Sequence, residues 1–256
     1  MHSTLDRVTG YEEILRRVGD NPYTRMAMSR QSTAYATAAG AVAWFTPTPW
    51  ASLVSLHGDE DAAEELFVRL SRAGLIPAGA WLRVLLPAQR FHRIPGIRLR
   101  EEWQFRWIQG APPQQQGEDD VVRIPAARYD ELEELLREGN PDTVVRARGQ
   151  GIHGWYGIRE AGRLVACGAD RSLGGVGYLA AITVRPDCRR RGLGTAVTTA
   201  MTRRLASTTG AVALGVNTGN RGAIDLYERL GFRESVELAT FQVAGGEGRP
   251  ASGSTG

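Results

Sequence analysis

The residues best placed to do chemistry lie in AITVRPDCRRRGLGTAVTTAMTRRL, residues 181–205. An apolar, strand-like run ends at Val184. A turn with Pro186 follows, then Arg189-Arg190-Arg191-Gly192-Leu193-Gly194, and then a helical pattern. This combination makes an anion cradle. The first turn of a helix has unpaired N–H groups and the positive end of the helix dipole. Gly192 and Gly194 let the main chain approach a diphosphate with no side chain between them, and the arginines add charge-assisted hydrogen bonds. The run is not a P-loop, since no Gly-Lys-Ser/Thr follows a four-residue gap. Nor is it the G-x-G-x-x-G of a dinucleotide fold, whose acidic strand end is missing.

The block resembles the Arg/Gln-x-x-Gly-x-Gly/Ala motif of the GNAT superfamily of acyl-CoA-dependent N-acyltransferases. Here it reads Arg189-x-x-Gly192-x-Gly194, preceded by Ile182-x-Val184-x-Pro186. A second block, VNTGNRGAIDLYERLGF at 216–232, is similar to that family's later motif: an Asn after a strand, an Ala three on, then Leu-Tyr, then Gly-Phe. The resemblance covers the C-terminal half only. It implies that the backbone of Ile182, Thr183 and Val184 pairs with a pantetheine arm. It also implies that Arg189, Arg190, Arg191, Gly192, Leu193, Gly194 and Thr195 hold the CoA diphosphate, that Asn220 bonds near the pantetheine, and that Tyr227 protonates the departing thiolate. Acetyl-CoA would be the co-substrate, with no metal.

Each role has a plainer competitor. Arg190 and Arg191 also read as solvated cations, Asn220 as a helix N-cap, Asn217 as a turn residue, and Tyr227 as an aromatic packed on the inner face of its helix. The general base is the gap: YLAAITV carries no acid, which leaves Asp170, His153, Glu160 or a water chain. Trp155 and Tyr156 read as acceptor-pocket walls or as core. Two cysteines, Cys167 and Cys188, make neither a disulfide framework nor a zinc spacing. Cys167 reads as a small buried hydrophobe, and Cys188 lacks the His–Asp company of a nucleophile.

The elements that must position these groups follow from pattern. Residues 110–120, GAPPQQQGEDD, have no apolar period and read as a linker. This gives an N-terminal α/β domain over 1–110, a linker over 111–120, a GNAT-like domain over 121–245 and a disordered tail over 246–256. In the second domain, VVRI is a strand and ARYDELEELLREG an amphipathic helix. Strands near Trp155–Arg159 and Arg163–Ala169 join through Glu160-Ala161-Gly162. YLAAITV is a central strand, followed by a helix to about Ser207, the strand AVALGV, the helix RGAIDLYERLGF, and final strands in ESVELATFQV. The expected class is α+β, with a mixed, mostly antiparallel sheet flanked by helices.

The first half predicts a helix over Gly10–Val18, a break at Asn21-Pro22, and a hairpin about Ala38–Gly40 with Pro47 and Pro49 beyond. ASLVSL is a further strand. A helix capped by Asp59 follows, with an apolar face of Ala63, Leu66, Phe67, Leu70 and Leu75. WLRVLL and EEWQFRWI are two more strands. This half has no glycine cradle and fits a degenerate copy of the same fold. It holds five of the six tryptophans, Trp44, Trp50, Trp81, Trp103 and Trp107, as core, interface or acceptor-site residues.

All 31 basic residues are arginine, against 28 acidic ones, and the net charge is +3. This small and interleaved excess argues against nucleic-acid binding. No apolar run reaches the length of a membrane span. The start, MHSTLDRVTGYEEILRRVGD, lacks a basic region leading into an apolar run, so the expected compartment is the cytoplasm. Two functions stay open: transfer of an acetyl or other acyl group to a small-molecule or peptide amine through a ternary complex, or a catalytically inactive CoA-binding regulatory module. The edge strands of the last hairpin leave room for a homodimer, by analogy alone.

Overall fold

The computed structural model describes residues 5–47 and 52–245. Pro49, Trp50 and the expected tail at 246–256 lie outside the described residues. The chain divides into two compact units. Among the described residues, 5–103 and 236–245 form the first and 104–235 the second.

The first unit begins with β1 (Asp6–Val8), α1 (Tyr11–Val18), α2 (Pro22–Ala27), β2 (Thr33–Ala36) and β3 (Val42–Pro47). β4 (Ser52–His57), α3 (Glu60–Arg72), β5 (Trp81–Leu85) and the first half of β6 (Ile97–Gln109) follow. The second takes the rest of β6, then β7 (Val122–Arg123), α4 (Tyr129–Gly139), β8 (Gly154–Glu160), β9 (Arg163–Asp170), β10 (Gly177–Val184), α5 (Leu193–Ala206), β11 (Ala211–Asn217) and α6 (Arg221–Arg229). β12 (Glu234–Val243) falls almost wholly in the first unit, where it pairs antiparallel with β5 from Leu238↔Leu85 to Gln242↔Trp81.

The units repeat one pattern. In the first, β1 to β4 are successive antiparallel neighbours and β4 pairs parallel with β5. In the second, β7 to β10 are antiparallel and β10 pairs parallel with β11. A parallel pair needs a crossover connection, which α3 supplies in one unit and α5 in the other. The expected mixed, mostly antiparallel α/β architecture is what forms.

Local chemistry explains several boundaries. The β8–β9 turn has Ala161 at φ 47° and Gly162 at φ 80°, the two positive values a twisted two-residue hairpin needs. Ala63, Leu66, Phe67 and Leu70 bury one face of α3 against the apolar core of the first unit. Leu75, expected on that face, follows the helix end and is exposed. The Asn21-Pro22 break also starts α2: Asn21 Oδ1 accepts from Thr24 N, Thr24 Oγ1 accepts from Asn21 N, and Pro22 opens the first turn. Trp44, Trp81 and Trp103 are core residues of the first unit, while Trp107 is buried in the second.

The division differs from a boundary at 111–120. That segment belongs to the second unit, where Arg203 holds it: Nη1 donates to the Pro112 carbonyl at 2.9 Å and Nε pairs with Glu118 at 3.2 Å. Its polar composition matches that of a free linker, so only the fold reveals the anchoring. Among the described residues, no helix is long and apolar enough to cross a membrane.

Candidate active site

β10 and β11 pair only from Gly177↔Val212 to Leu179↔Leu214. Beyond this the register of β10 against β9 shifts between Ala180 and Thr183, and Ala181 sits at φ 50°. A non-glycine residue in the left-handed region is strained, and such a bulge re-aims the strand. The freed end, Ile182 to Val184, lines a cavity of about 600 Å³ that lies wholly in the second unit, within the usual size of small-molecule sites.

The second wall is the turn into α5. Gly192 is the N-cap at φ 81°, and no side chain caps the helix. The first paired amide of the helix is Ala196 N, which donates to Gly192 O at 2.9 Å. The amides before it are the orphans of a helix start. A Cβ built on Gly192 would meet nothing within 4 Å, so glycine is needed there for its left-handed φ and not for space. Arg190 reaches the cavity from φ 62°, while Arg189 turns back and donates from Nη2 to Gly139 O at 2.8 Å.

That bond ties the cradle to the end of α4. Gly139 is needed there for contact, since a Cβ would lie 2.6 Å from Thr183 Cγ2 and 2.9 Å from Val184 O. Arg185, nearly inaccessible, reinforces the junction. Its Nε donates to Leu164 O at 2.8 Å, and its Nη groups pair with Glu138 and Glu134 of α4.

The third wall is α6. Asn220 lines the cavity and also caps the helix, its Oδ1 accepting from Ala223 N at 3.2 Å. Its two readings therefore coexist. Tyr227 lies 3% exposed, edge-on to Phe232 at 6.1 Å, and borders the cavity. Burial pushes its phenol pKa above the usual range, and Tyr178 adds to the shift. Tyr227 is thus both packed and within reach of the cavity.

Of the residues singled out from sequence, the cavity gathers Ile182, Thr183, Val184, Arg189, Arg190, Gly192, Leu193, Gly194, Thr195, Asn220 and Tyr227. Arg191 is not among them: both its terminal nitrogens are 2.9 Å from Glu160, a bidentate pair on the surface. The candidate bases also lie elsewhere. Glu160 is taken by Arg191, Asp170 accepts from Ser172 N and Oγ, and His153 Nε2 meets Ser172 O at 2.9 Å. Asn217 accepts from Gly219 N and is a turn residue. Trp155 is core, its indole donating to Ala147 O, and Tyr156 carries Arg204 over its ring. Cys167 is sealed, with its thiol pKa pushed up by burial.

The cavity also takes in Gly139, Thr198, Gly222 and Arg229, which the sequence did not single out, and Cys188, Ala223 and Leu226, which it singled out without a binding role. Helical spacing carries part of the signal: Ala223 and Leu226 lie three and six residues after Asn220, and Arg229 follows three later. Nothing local marks Gly139. Among the described residues no carboxylate or histidine lines the cavity, and its charged groups are arginines, so the lining favours anions. Among the described residues no cluster of three or more His, Cys, Asp or Glu could hold a metal ion.

Residues 155–240 match the family described as FR47-like protein. No curated protein sequence matches the chain. The fold is similar to that of a putative GNAT acetyltransferase from Novosphingobium aromaticivorans (18% identity, 91% of this chain and 97% of that one, TM-score 0.55). It is also similar to a GCN5-related N-acetyltransferase from Sphaerobacter thermophilus (16%, 95% and 88%, 0.58). A third such structure is a GCN5-related N-acetyltransferase-like protein from Streptococcus suis (14%, 91% and 98%, 0.50). The chain has a GNAT-type fold in which residues 155–240 match the FR47-like family.

Proposed function

We propose that the second unit binds acetyl-CoA or another acyl-CoA and transfers its acyl group to a small-molecule or peptide amine. The observation that carries this reading is the uncapped, left-handed start of α5, whose amides face a cavity shared with Tyr227. The cavity bordered by Gly192, Leu193, Gly194 and Thr195 takes a diphosphate, and Arg190 and Arg229 supply charge. The thioester would supply the acyl group and a thiolate leaving group. The stretch Ile182–Val184, paired with β9 but not with β11, orients the acyl arm through main-chain bonds on its free side, and a strand amide there can polarise the thioester carbonyl. The amine nitrogen forms the new C–N bond as the C–S bond breaks. Tyr227, which keeps its proton at neutral pH, gives it to the sulfur, the amine proton leaves to solvent, and the solvent returns a proton to the Tyr227 phenolate. Holding both substrates together contributes much of the acceleration.

A second reading is a CoA-binding module without catalysis. The lack of any carboxylate or histidine among the described residues lining the cavity favours it. Isothermal titration of acetyl-CoA into the wild type and Gly192→Trp tests the shared premise. Binding in the range of about 1 μM to 1 mM, abolished by the indole, is expected. Wild type that binds neither acetyl-CoA nor longer acyl-CoAs would sink both readings. Turnover across an amine library then separates enzyme from module.

A further inference from the structure

The sheet of the first unit has two unlike faces. On one, Val54, Leu82 and Phe241 join α3 in an apolar core. On the other, three strands align a polar row: Ser55 of β4 is the register partner of Arg83 of β5, and Arg83 that of Thr240 of β12. Residues paired in register share a face. The buried Tyr23 phenol from α2 adjoins the Ser55 hydroxyl and feels the Arg83 charge. The Arg83 guanidinium lies 5.2 Å from the centre of the Trp103 ring, and Trp103 Nε1 donates to Thr240 Oγ1 at 2.9 Å.

Tyr23, Ser55, Trp103 and Thr240 are all at most 4% exposed, while Arg83 is half-buried. The Arg83 Nε is buried with no acceptor. Among the described residues no carboxylate pairs with this arginine, whereas the buried Arg106 and Arg185 are matched by Glu228 and by Glu138. A guanidinium cannot shed its charge, and drawing one out of water without a counter-ion is costly. An external anion would remove that cost.

The geometry points to a carboxylate-binding subsite in the first unit, in which the open end of Arg83 forks a carboxylate beside the Tyr23–Ser55 hydroxyls. One fixed positive charge with neutral hydroxyls balances a monoanion, and a phosphate dianion would leave a charge over. The Trp103 ring under the guanidinium favours a ligand with an apolar body next to its carboxylate. This subsite involves none of the residues of the acyl-CoA cavity and stands or falls independently of it.

The test is a titration of the full chain with sodium 4-fluorobenzoate, followed by fluorine NMR and by the arginine Nε–Hε resonances. Saturable binding is expected, together with a shift of one Nε–Hε resonance that is absent from the Arg83→Gln spectrum. Affinity should fall by about tenfold or more in Arg83→Gln, and neutral 4-fluorobenzyl alcohol should not bind. Near-UV circular dichroism checks that the variant is folded. If it is not, Ser55→Ala takes its place, with an expected loss of about threefold. The proposal is overturned by absence of binding to the wild type, by equal binding of the alcohol, or by unchanged affinity in the folded variant. Stronger competition by inorganic phosphate than by the benzoate overturns the carboxylate assignment.

Discussion

The two units share a strand–crossover pattern and differ at the one joint that matters. In the first, β4 passes to α3 through two residues, Gly58 and Asp59, and the Asp59 carboxylate accepts from Ala62 N at 2.9 Å. Glu60 and Asp61 fill the first turn. The positive end of α3 is thus neutralised by its own chain. In the second, β10 reaches α5 through eight residues, 185–192, with a glycine cap, no acid in the first turn and arginines beside it. The same strand–helix joint leaves the helix start bare in one unit and covers it with the chain's own acids in the other. Strand pairing follows suit. β4 stays in register with β5 from Leu53 to Leu56, while β10 leaves β11 after Leu179. After the parallel pair, the first unit has only the short turn Phe91–Arg93, where the second has α6 with Tyr227.

The comparison can be broken by copying one unit onto the other. Thr195→Glu puts into α5 the kind of acid that α3 carries in its first turn. Acetyl-CoA affinity should fall by about a hundredfold, roughly 2.7 kcal/mol, with helix content unchanged by circular dichroism. Unchanged affinity would mean that the start of α5 is not the anion site. Tyr227→Phe tests the part with no counterpart in the first unit. We expect kcat to fall by at least about tenfold, below the usual range for a lost proton donor because solvent can substitute, with little change in acetyl-CoA affinity. Because the folded phenol titrates above its ordinary value near 10, this loss should persist without change from neutral pH to about pH 9. A pH-dependent loss within that window would argue against a proton held on Tyr227.

Smaller effects sharpen the contrast. Asp59→Ala should lower the stability of the first unit by about 1 kcal/mol, the usual worth of an N-cap, read by chemical denaturation. Acetyl-CoA binding should not change. Arg191→Ala should matter least. Its partner is the exposed Glu160, so acetyl-CoA affinity should move by less than about twofold. Arg190→Ala should weaken binding more, and increasingly so at low salt.

The cradle was legible in the sequence because its working parts are local. A strand end, a glycine at a left-handed cap and a helix start are contiguous, and the same stretch of chain that encodes them builds them. Tyr227 and Asn220 were singled out through the resemblance of residues 216–232 to a family motif, and both line the cavity. Arg191 was misplaced because three consecutive arginines point in different directions, and its direction was decided by Glu160, 31 residues away. The anchoring of 110–120 was not legible because a polar, proline-rich segment looks alike whether free or held by Arg203.

Sequence alone therefore determined most of the second unit's elements and the glycine-capped, acid-free start of α5, since these depend on residues within one or two turns of each other; β1, α2 and the joining of the last strands into one β12 were not legible. Only the tertiary structure decided that β12 completes the sheet of the first unit, that Gly139 presses on Val184, and that Arg83 faces hydroxyls and an indole without a carboxylate. Those are encounters between segments far apart in the chain. No local propensity encodes them, because their energy exists only once the strands are in register and the side chains have left water.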